Sequence, residues 1–302
     1  MGLLDGKIAV ITGGTRGFGY AVAQAYAHEG AKVVLASRSE EAVQQAVTNL
    51  NDAGAGVTGI ACDVGDFGQV QALSEHAINS FGRYDIWVNN AGLSAPYGPT
   101  ADIPVNEFEK VIRANIFGVY YGSLIALRFY LRNSHSVPPF PVKLINILGE
   151  GATRPVPMQI AYAASKSWIR NFTLALAKED KNKNVGIFAF NPGLMETDLL
   201  RKVDVISGYQ GRLTPLKTVM RMWGKPPEKP AQKAVWLASP ETDGRTGLEI
   251  KELGFSRILG GALREGFRRL LRRPAADWEI EVNIIAPESE PLPGGRYQEE
   301  HA

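Results

Sequence analysis

The chain has 302 residues, and its 45% hydrophobic content is enough to fill the core of one large α/β domain or two small ones. A net charge of +2 argues against a nucleic-acid partner, and the only cysteine, Cys62, excludes an internal disulfide. No apolar run approaches the roughly 20 residues of a membrane span, and the four histidines lack the spacing of metal ligands, so a metal site is not expected. These features predict a soluble, cytoplasmic protein.

Strand-like and helix-like segments alternate from residue 7 to about residue 253. The predicted strands are Ile8–Thr12, Lys32–Ala36, Thr58–Cys62, Ile86–Asn89, Val142–Leu148, Val185–Phe190 and Leu248–Glu252. The predicted helices are Phe18–Glu29, Glu40–Ala53, Gly68–Phe81, Val105–Leu131, Ile160–Lys181 and Pro230–Ala238. Several strands are apolar on both faces, as in a parallel sheet covered by helices. The pattern predicts a doubly wound (Rossmann) α/β fold with seven parallel strands, in one domain over residues 1–253.

A glycine-rich turn joins the first predicted strand to the first predicted helix, with the sequence Thr12-Gly13-Gly14-Thr15-Arg16-Gly17-Phe18-Gly19. Glycines at such a turn let the backbone approach a pyrophosphate, and the free N–H groups of the helix N-terminus favour an anion. Because the turn lies between a strand and a helix, it predicts a dinucleotide site.

The end of the second predicted strand indicates which dinucleotide binds. Sites for NAD usually place a carboxylate there, whereas a nearby arginine accommodates the 2′-phosphate of NADP. This chain has Ser37 followed by Arg38, with no carboxylate before Glu40, and Arg16 adds a second cation in the turn. The sequence therefore favours NADP(H).

Tyr162 and Lys166 lie four residues apart in a predicted helix, so their side chains share one face. An ammonium beside a phenol favours the phenolate, so we expect Lys166 to lower the pKa of Tyr162. Such a tyrosine can exchange a proton with a substrate oxygen near neutral pH. The spacing alone is common by chance, and it gains weight only from the other motifs.

Together these motifs resemble the short-chain dehydrogenase/reductase family, in its classical branch. The matches, in the family's order, are the turn at Thr12–Gly19, Cys62-Asp63-Val64 after the third strand, Asn89-Asn90-Ala91-Gly92 after the fourth, Asn115 in the next long helix, the Tyr162 and Lys166 pair, and Pro192-Gly193 with Thr197 after the sixth strand. The resemblance covers roughly residues 5–253 and implies hydride transfer with a nicotinamide cofactor.

The resemblance also implies roles for single residues. Tyr162 would be the general acid in reduction and the general base in oxidation, Lys166 would bind the nicotinamide ribose, and Asn115 would hold a water that relays protons. Asp63 would bind the adenine amino group, or it could instead cap the following helix. The residues expected to contact the cofactor are Gly13, Thr15, Arg16, Gly17, Phe18, Gly19, Ser37, Arg38, Asp63, Val64, Asn89, Ala91, Gly92, Tyr162, Lys166, Pro192, Gly193 and Thr197.

At position 149 the sequence departs from the family. The family carries a serine there that polarises the substrate carbonyl, and this chain has Gly149. Three functions stay open: a ketone reductase in which Tyr162 polarises the oxygen alone or with a backbone N–H or a water; imine or alkene reduction, elimination or isomerisation, with Glu150 as an acid or base; and a catalytically weak NADP(H)-binding regulatory or scaffolding protein. Since one preorganised donor contributes roughly 10²–10³ in rate, Gly149→Ser should raise ketone reduction if the missing hydroxyl limits it.

The resemblance also implies where the substrate pocket lies, in the segment after Pro192-Gly193 and beside Gly149. Its apolar residues suit a bulky, apolar ketone, because methionine and other apolar side chains fill irregular space. The residues expected to line this pocket are Leu148, Gly149, Glu150, Met158, Leu194, Met195 and Trp223.

Residues 254–302 continue beyond the resemblance as a C-terminal extension. Phe255–Arg273 has an amphipathic pattern with arginines opposite its apolar side, which favours packing on this chain or a second subunit over a membrane surface. Trp278–Ile285 alternates like a strand that joins a sheet edge or pairs between subunits, and the sequence after Pro287 is expected to be poorly ordered. By the resemblance, Val105–Leu131 and Ile160–Lys181 form the face of a homodimer or homotetramer.

Overall fold

The structure, a computed structural model, describes residues 2–133, 141–179, 185–271 and 278–288. The strands in these ranges are β1 (Ile8–Thr12), β2 (Lys32–Ser37), β3 (Val57–Ala61), β4 (Ile86–Asn89), β5 (Val142–Ile147), β6 (Val185–Asn191), β7 (Lys202–Ile206), β8 (Glu249–Lys251) and β9 (Glu281–Ile285). The α-helices are α1 (Gly17–His28), α2 (Glu40–Asp52), α3 (Phe67–Phe81), α4 (Val105–Val111), α5 (Gly118–Asn133), α6 (Ile160–Glu179), α7 (Asp198–Arg201), α8 (Thr214–Trp223), α9 (Glu228–Ala238) and α10 (Phe255–Leu270).

Seven strands form one parallel sheet in the order β3-β2-β1-β4-β5-β6-β8, which confirms the predicted doubly wound fold. All five residues of β1 are buried, as expected for a central parallel strand covered on both faces. The chain proceeds outward from β1 to β3 and then returns to β4 on the other side. A crevice therefore opens at the carboxyl ends of β1 and β4, the usual place for a ligand in such a sheet.

Helices fill the two faces of this sheet with apolar side chains. On one face α1 and α9 pack together, and the Tyr26 hydroxyl of α1 donates to the carbonyl of Ala234 in α9 at 3.0 Å. On the other face α3 and α5 cover a cluster that includes Leu73, Trp87 and Ala126. This packing fixes the central strands, whose carboxyl ends carry most of the predicted site residues.

The predicted helix Val105–Leu131 differs from the observed structure. A π-helical segment, Ile112–Phe117, separates α4 from α5, and Asn115 lies within it. A single π-helical turn keeps the helix axis continuous while it shifts the backbone hydrogen bonds by one residue, and such turns are frequent at functional sites. Apolar periodicity alone does not distinguish it from an α-helix.

Between Asp198 and Trp223 the structure contains α7, β7, a short 3-10 helix (Gln210–Leu213) and α8, none of which was predicted. Strand β7 is short and pairs in parallel with β9, from Lys202 opposite Glu281 to Ile206 opposite Ile285. The Ile206 N–H also donates to the Tyr97 carbonyl at 3.0 Å. Because β9 lies far away in sequence, local patterns could not reveal the pairing.

The C-terminal extension packs on the same chain, as favoured from the sequence. Its helix α10 contacts α8, where Arg264 Nη2 donates to the Met222 carbonyl at 2.8 Å. The predicted strand is observed as β9, and it forms a second sheet with β7 rather than extending the main sheet. Residues 272–273 of the predicted helix and the tail from residue 289 lie outside the described residues. None of the helices in the described ranges is long and apolar enough to cross a membrane.

Candidate active site

The glycine-rich turn after β1 leaves the N-terminus of α1 open. Gly13 has a φ of +64°, and a Cβ there would lie 2.9 Å from the Ala91 Cα, so both the backbone conformation and the neighbouring loop require glycine. Among the described residues no side chain caps α1, and its first turn contains no carboxylate. Free N–H groups and the positive end of the helix dipole are therefore available to an anion.

Thr12 and Asn90 hold this turn against the loop that follows β4. The Thr12 hydroxyl donates to the Val88 carbonyl at 3.2 Å and accepts from the N–H groups of Asn90 and Ala91 at 3.0 and 3.1 Å. Asn90 Nδ2 in turn donates to the carbonyls of Thr12 and Gly13 at 2.9 and 3.1 Å. The glycine-rich turn and the Asn89-Asn90-Ala91-Gly92 motif are thus joined directly by hydrogen bonds at the crevice.

At the end of β2 the side chain of Arg38 is exposed beside the partly buried Ser37. Arg16, the second cation predicted to reach the 2′-phosphate, is paired instead with α7: its Nη1 donates to Asp198 Oδ2 at 3.1 Å. Asp198 was not singled out from the sequence, since 182 residues separate it from Arg16. Thr197, next to it, lies against the same turn: a Cβ on Gly17 would be 3.4 Å from the Thr197 Cβ.

Asp63 lies after β3 and does not cap the following helix. Its Oδ1 accepts from the Gly65 N–H at 2.9 Å within a tight turn. The residue that caps α3 is Asp66, which accepts from the Gln69 N–H at 2.9 Å. The capping alternative for Asp63 is therefore wrong, and the exposed carboxylate is held at the end of β3.

Tyr162 and Lys166 lie on α6, beneath the carboxyl end of β5. The Lys166 side chain is buried, its Nζ donates to the Ile147 carbonyl at 3.1 Å, and it lies 5.5 Å from the centroid of the Tyr162 ring. The helical spacing therefore places an ammonium next to the phenol, as predicted.

The acidity of this pair differs from the expectation. Burial, with a smaller contribution from the Glu150 carboxylate, raises the pKa of Tyr162 from 10.0 to about 12. Burial also lowers the pKa of Lys166 from 10.5 to about 8. Loss of water disfavours the charged form of both groups. The pKa of Tyr162 therefore lies above its ordinary value, opposite to the direction expected from its neighbour Lys166.

Gly149 follows β5 and touches the Tyr162 hydroxyl. A Cβ built on Gly149 would collide with Tyr162 Oη, lie 3.1 Å from its Cζ and lie 3.5 Å from the Lys166 Cε. The Gly149 carbonyl accepts from Asn191 Nδ2 at 3.2 Å, a contact that the sequence did not suggest. The hydroxyl of Tyr162 thus fills the space that any side chain at position 149 would need.

Asn115, in the π-helical segment, is fully buried next to this pair. Its Nδ2 donates to the Leu93 carbonyl at 3.0 Å and to the Ser165 hydroxyl at 2.9 Å, and its Oδ1 accepts from the Leu93 N–H at 2.8 Å. Its side chain therefore joins the loop after β4 to α6, which restricts it as a ligand for water.

Asn89 belongs to a buried polar network under the site. Its Oδ1 accepts from Trp87 Nε1 at 2.8 Å, and its Nδ2 donates to Asn146 Oδ1 at 2.8 Å and to the Ser123 hydroxyl at 3.1 Å. Asn146 continues the network to Thr173 of α6 at 2.9 Å. These bonds hold β4, β5, α5 and α6 together, so Asn89 has a structural role in this network.

The residues predicted to line the substrate pocket differ in burial and in what they contact. Leu148 is buried in a core cluster with Ile169, and Trp223 packs on α10, where a Cβ on Gly261 would lie 2.5 Å from the Trp223 Nε1. Met158 has a φ of +65°, a strained conformation for a residue with a side chain. Glu150 is exposed and pairs with Arg154 at 2.7 Å. Leu194 and Met195 are partly buried near the carboxyl end of β6.

Comparison with known proteins identifies the family. The family model for short chain dehydrogenase matches residues 7–205. The chain belongs to the short-chain dehydrogenase family. It is 32% identical over 248 residues to 3beta-hydroxysteroid dehydrogenase 1 of Eggerthella lenta, which covers 82% of this chain and 92% of that relative.

Solved structures of short-chain dehydrogenases and reductases share the fold. A 3-ketoacyl-(acyl-carrier-protein) reductase from Brucella melitensis complexed with NADH has a TM-score of 0.72 and 29% identity, covering 84% of this chain and 99% of its own. A variant of actinorhodin polyketide ketoreductase with NADPH has a TM-score of 0.72 and 24% identity, covering 84% and 98%. The family match ends within β7, so α8, α10 and β9 lie outside it.

The crevice of this short-chain dehydrogenase fits a dinucleotide on its own geometry. The uncapped N-terminus of α1 suits a pyrophosphate, and glycine is required at Gly13 by the close approach of Ala91. The Tyr162 hydroxyl and the Lys166 ammonium lie across the crevice, at the carboxyl end of β5. The arrangement brings an uncapped helix N-terminus, a phenol and a buried ammonium to one edge of the sheet.

Proposed function

We infer that the protein is an NADP(H)-dependent oxidoreductase that reduces the carbonyl of a bulky, apolar ketone, with Tyr162 as the general acid. The observation that carries this proposal is the position of the Tyr162 hydroxyl, against the backbone of Gly149 and beside the buried Lys166. A substrate oxygen in the crevice would meet this hydroxyl first.

The protonation states of the pair suit reduction. With a pKa of about 12, Tyr162 keeps its proton at neutral pH and can donate it to the alkoxide that forms from a carbonyl. With a pKa of about 8, Lys166 remains mostly protonated at neutral pH, and its charge stabilises the phenolate that Tyr162 leaves behind. Bound NADPH would supply the hydride.

Ketone reduction is favoured over the chemistry that would employ Glu150. Glu150 is exposed, and its Oε1 accepts from Arg154 at 2.7 and 2.8 Å. This pairing holds the carboxylate in the exposed loop after β5, where it already accepts from a guanidinium. Tyr162 therefore both transfers the proton and polarises the substrate oxygen. In family members that have a serine at the position of Gly149, that serine assists with the polarisation.

The residues after β2 support NADP(H). Arg38 is exposed beside Ser37, and no carboxylate stands at this strand end to bind a ribose 2′-hydroxyl. Arg38→Asp should weaken NADPH binding by about ten-fold or more and change NADH binding much less, because the 2′-phosphate loses its cation. Arg245→Asp, a change of another exposed arginine, is the matched control for net charge.

An apolar substrate is supported by the walls near Tyr162 and by one relative. Leu93, Met158 and Met195 are apolar and partly buried, and they lie in the segments that follow β4, β5 and β6. The similar protein from Eggerthella lenta is named a hydroxysteroid dehydrogenase, and a steroid is a bulky apolar molecule. Among apolar ketones, a polycyclic one is therefore the first to test.

Steady-state oxidation of NADPH against a panel of ketones, imines and enones tests the proposal. We expect turnover with an apolar ketone and a loss of roughly 10²–10⁴ in kcat for Tyr162→Phe, since that is the usual contribution of a general acid. Tyr120→Phe, which changes an exposed tyrosine on α5, should retain activity. Turnover of imines or enones but of no ketone would show that the substrate is not a ketone. Tight NADPH binding without any turnover would indicate a regulatory or scaffolding protein.

Self-association through α5 and α6 is part of the same proposal. Large side chains of the π-helical segment and α5 are exposed, with Phe117 at 40%, Tyr120 at 42% and Leu131 at 63% exposure. A homodimer or homotetramer would cover them, and light scattering of the purified protein would show a monomer if this is wrong.

A further inference from the structure

A cavity of about 710 Å³ lies between α8 and α10, and most of the residues that line it come after residue 205, where the family match ends. Its walls come from α8, α10, the segment before β9, and Glu196 and Arg201 in the segment after β6. The residues that line it do not include Tyr162, Lys166 or Gly149. Its volume is in the range of sites that bind small molecules. It is therefore a separate candidate for ligand binding.

Basic side chains dominate the polar part of this cavity. Four arginines line it, Arg201, Arg221, Arg264 and Arg268, against the two carboxylates Glu196 and Glu265. The carboxylate of Glu265 is engaged closely by Arg268, with both bonds at 2.8 Å, whereas Arg221 Nη2 approaches it only to 3.5 Å. Arg201 lies 3.7 Å from Glu196. The cavity thus carries two positive charges in excess, which favours an anion.

Two buried donors in the cavity wall lack an acceptor. Within the ranges that the structure describes, Arg221 Nε and Trp278 Nε1 are the buried side-chain polar atoms without a hydrogen-bond partner. Trp278 is only 9% exposed, so its indole N–H is largely removed from water. Buried donors are rarely left unpaired, and an acceptor entering the cavity would be drawn to them after a small adjustment of the wall.

The rest of the wall is apolar. Met220 is buried at its base, and Phe267 and Leu271 of the α10 region are 61% and 58% exposed. Large apolar side chains left open beside a cationic cavity suit a ligand that carries an apolar chain. An inorganic anion would leave this surface uncovered.

We propose that this cavity binds an amphipathic organic carboxylate, with its carboxylate at Arg221 and Trp278 and its apolar chain along Met220, Phe267 and Leu271. A guanidinium N–H and an indole N–H both donate to carboxylate oxygens, and charge-assisted bonds of this kind are strong when water is excluded. The cavity is distinct from the proposed catalytic crevice, so its occupancy can be measured without turnover.

Calorimetric titration of the full chain with decanoate tests this site. We expect saturable binding of one decanoate per chain, with no comparable binding of decanol, which lacks the charge, or of acetate, which lacks the chain. Arg221→Met should weaken decanoate binding by about ten-fold or more, since it removes a charged hydrogen-bond donor. Arg245→Met and Tyr162→Phe should bind decanoate like the unaltered protein.

Trp278→Phe provides a second variant that keeps an aromatic side chain and removes the indole N–H, and it should weaken binding by about three-fold or more. If thermal unfolding shows that Arg221→Met does not fold, the decanoate affinity of Trp278→Phe tests the proposal in its place. Equal affinity for decanol, equal affinity of the folded Arg221→Met protein, or the absence of saturable decanoate binding would each overturn the proposal. Because none of these measurements requires NADPH or a ketone, they stand apart from the test of the catalytic function.

Discussion

The Tyr162 hydroxyl occupies the place that a Cβ on Gly149 would take, and the Tyr162 Cζ lies 3.1 Å from that place. Glycine at position 149 therefore does more than omit a hydroxyl: it allows the phenol to reach the backbone at the end of β5. A serine could not be added there while Tyr162 stays where it is.

Gly149→Ala should consequently lower kcat for ketone reduction, by about 10²-fold if Tyr162 is displaced by about 1 Å. Gly149→Ser should do the same, which reverses the gain expected from the sequence. Steady-state kinetics with the substrate found in the panel would measure this, together with the Kd for NADPH, which should change little. Gly211→Ala is the matched control, because a Cβ there meets nothing within 4 Å. A higher kcat in Gly149→Ser would show that Tyr162 tolerates the added side chain.

The lowered pKa of Lys166 predicts a pH-dependent stability. Its pKa is about 8 in the folded protein, and 10.5 is the ordinary value that applies to the unfolded chain. Below about pH 8 both states are protonated, and the buried charge destabilises the fold by about 3 kcal/mol. Between these two pKa values the folded state has lost the proton while the unfolded state retains it, so the penalty disappears as the pH rises.

Lys166→Met cannot titrate and has no such penalty. The free energy of unfolding of Lys166→Met minus that of the unaltered protein should therefore be largest below about pH 8 and should shrink toward about pH 10.5. Urea unfolding across this range measures the difference. Lys217→Met, which replaces an exposed lysine of α8, should show no such trend. A difference that does not change with pH would mean that Lys166 titrates equally in both states.

The Arg16 and Asp198 pair predicts an effect on cofactor affinity. At 3.1 Å and with both side chains exposed, the pair is weak, yet it directs Arg16 toward α7. Asp198→Asn should release Arg16 and remove a negative charge, and NADPH should then bind a few-fold more tightly. Fluorescence titration with NADPH and NADH measures this. An equal gain for both cofactors would mean that Arg16 does not reach the 2′-phosphate.

From the pairing of strand β9, we expect the C-terminal extension to contribute to the substrate site. It pairs with β7, and β7 in turn contacts Tyr97 in the loop that follows β4. A chain shortened to end at Trp278 loses β9, so β7 has one partner fewer and KM for the ketone should rise by about ten-fold, while the Kd for NADPH stays the same. An unchanged KM would show that β7 holds its position without β9.

Most of the main fold was predictable because its causes are local. Runs such as Ile8–Thr12 are apolar on both faces, and the sheet of seven parallel strands follows from their alternation with helices. The elements between residues 198 and 223 were not predicted, because their structure depends on residues that are distant in the chain. Strand β7 has no strong pattern of its own and is stabilised by β9, about 80 residues later in the chain.

The sequence by itself determined which groups this protein brings to the crevice: a glycine-rich turn at a helix N-terminus, an arginine after β2, and a tyrosine and lysine one helical turn apart. Their order and spacing are covalent facts, and they are sufficient to identify the family. Only the tertiary structure decided how these groups behave. Burial raises the pKa of Tyr162 and lowers that of Lys166, and the Tyr162 hydroxyl takes the space of a side chain at Gly149. Desolvation and steric contact depend on atoms that are distant in the chain, and those atoms meet only when the sheet has formed.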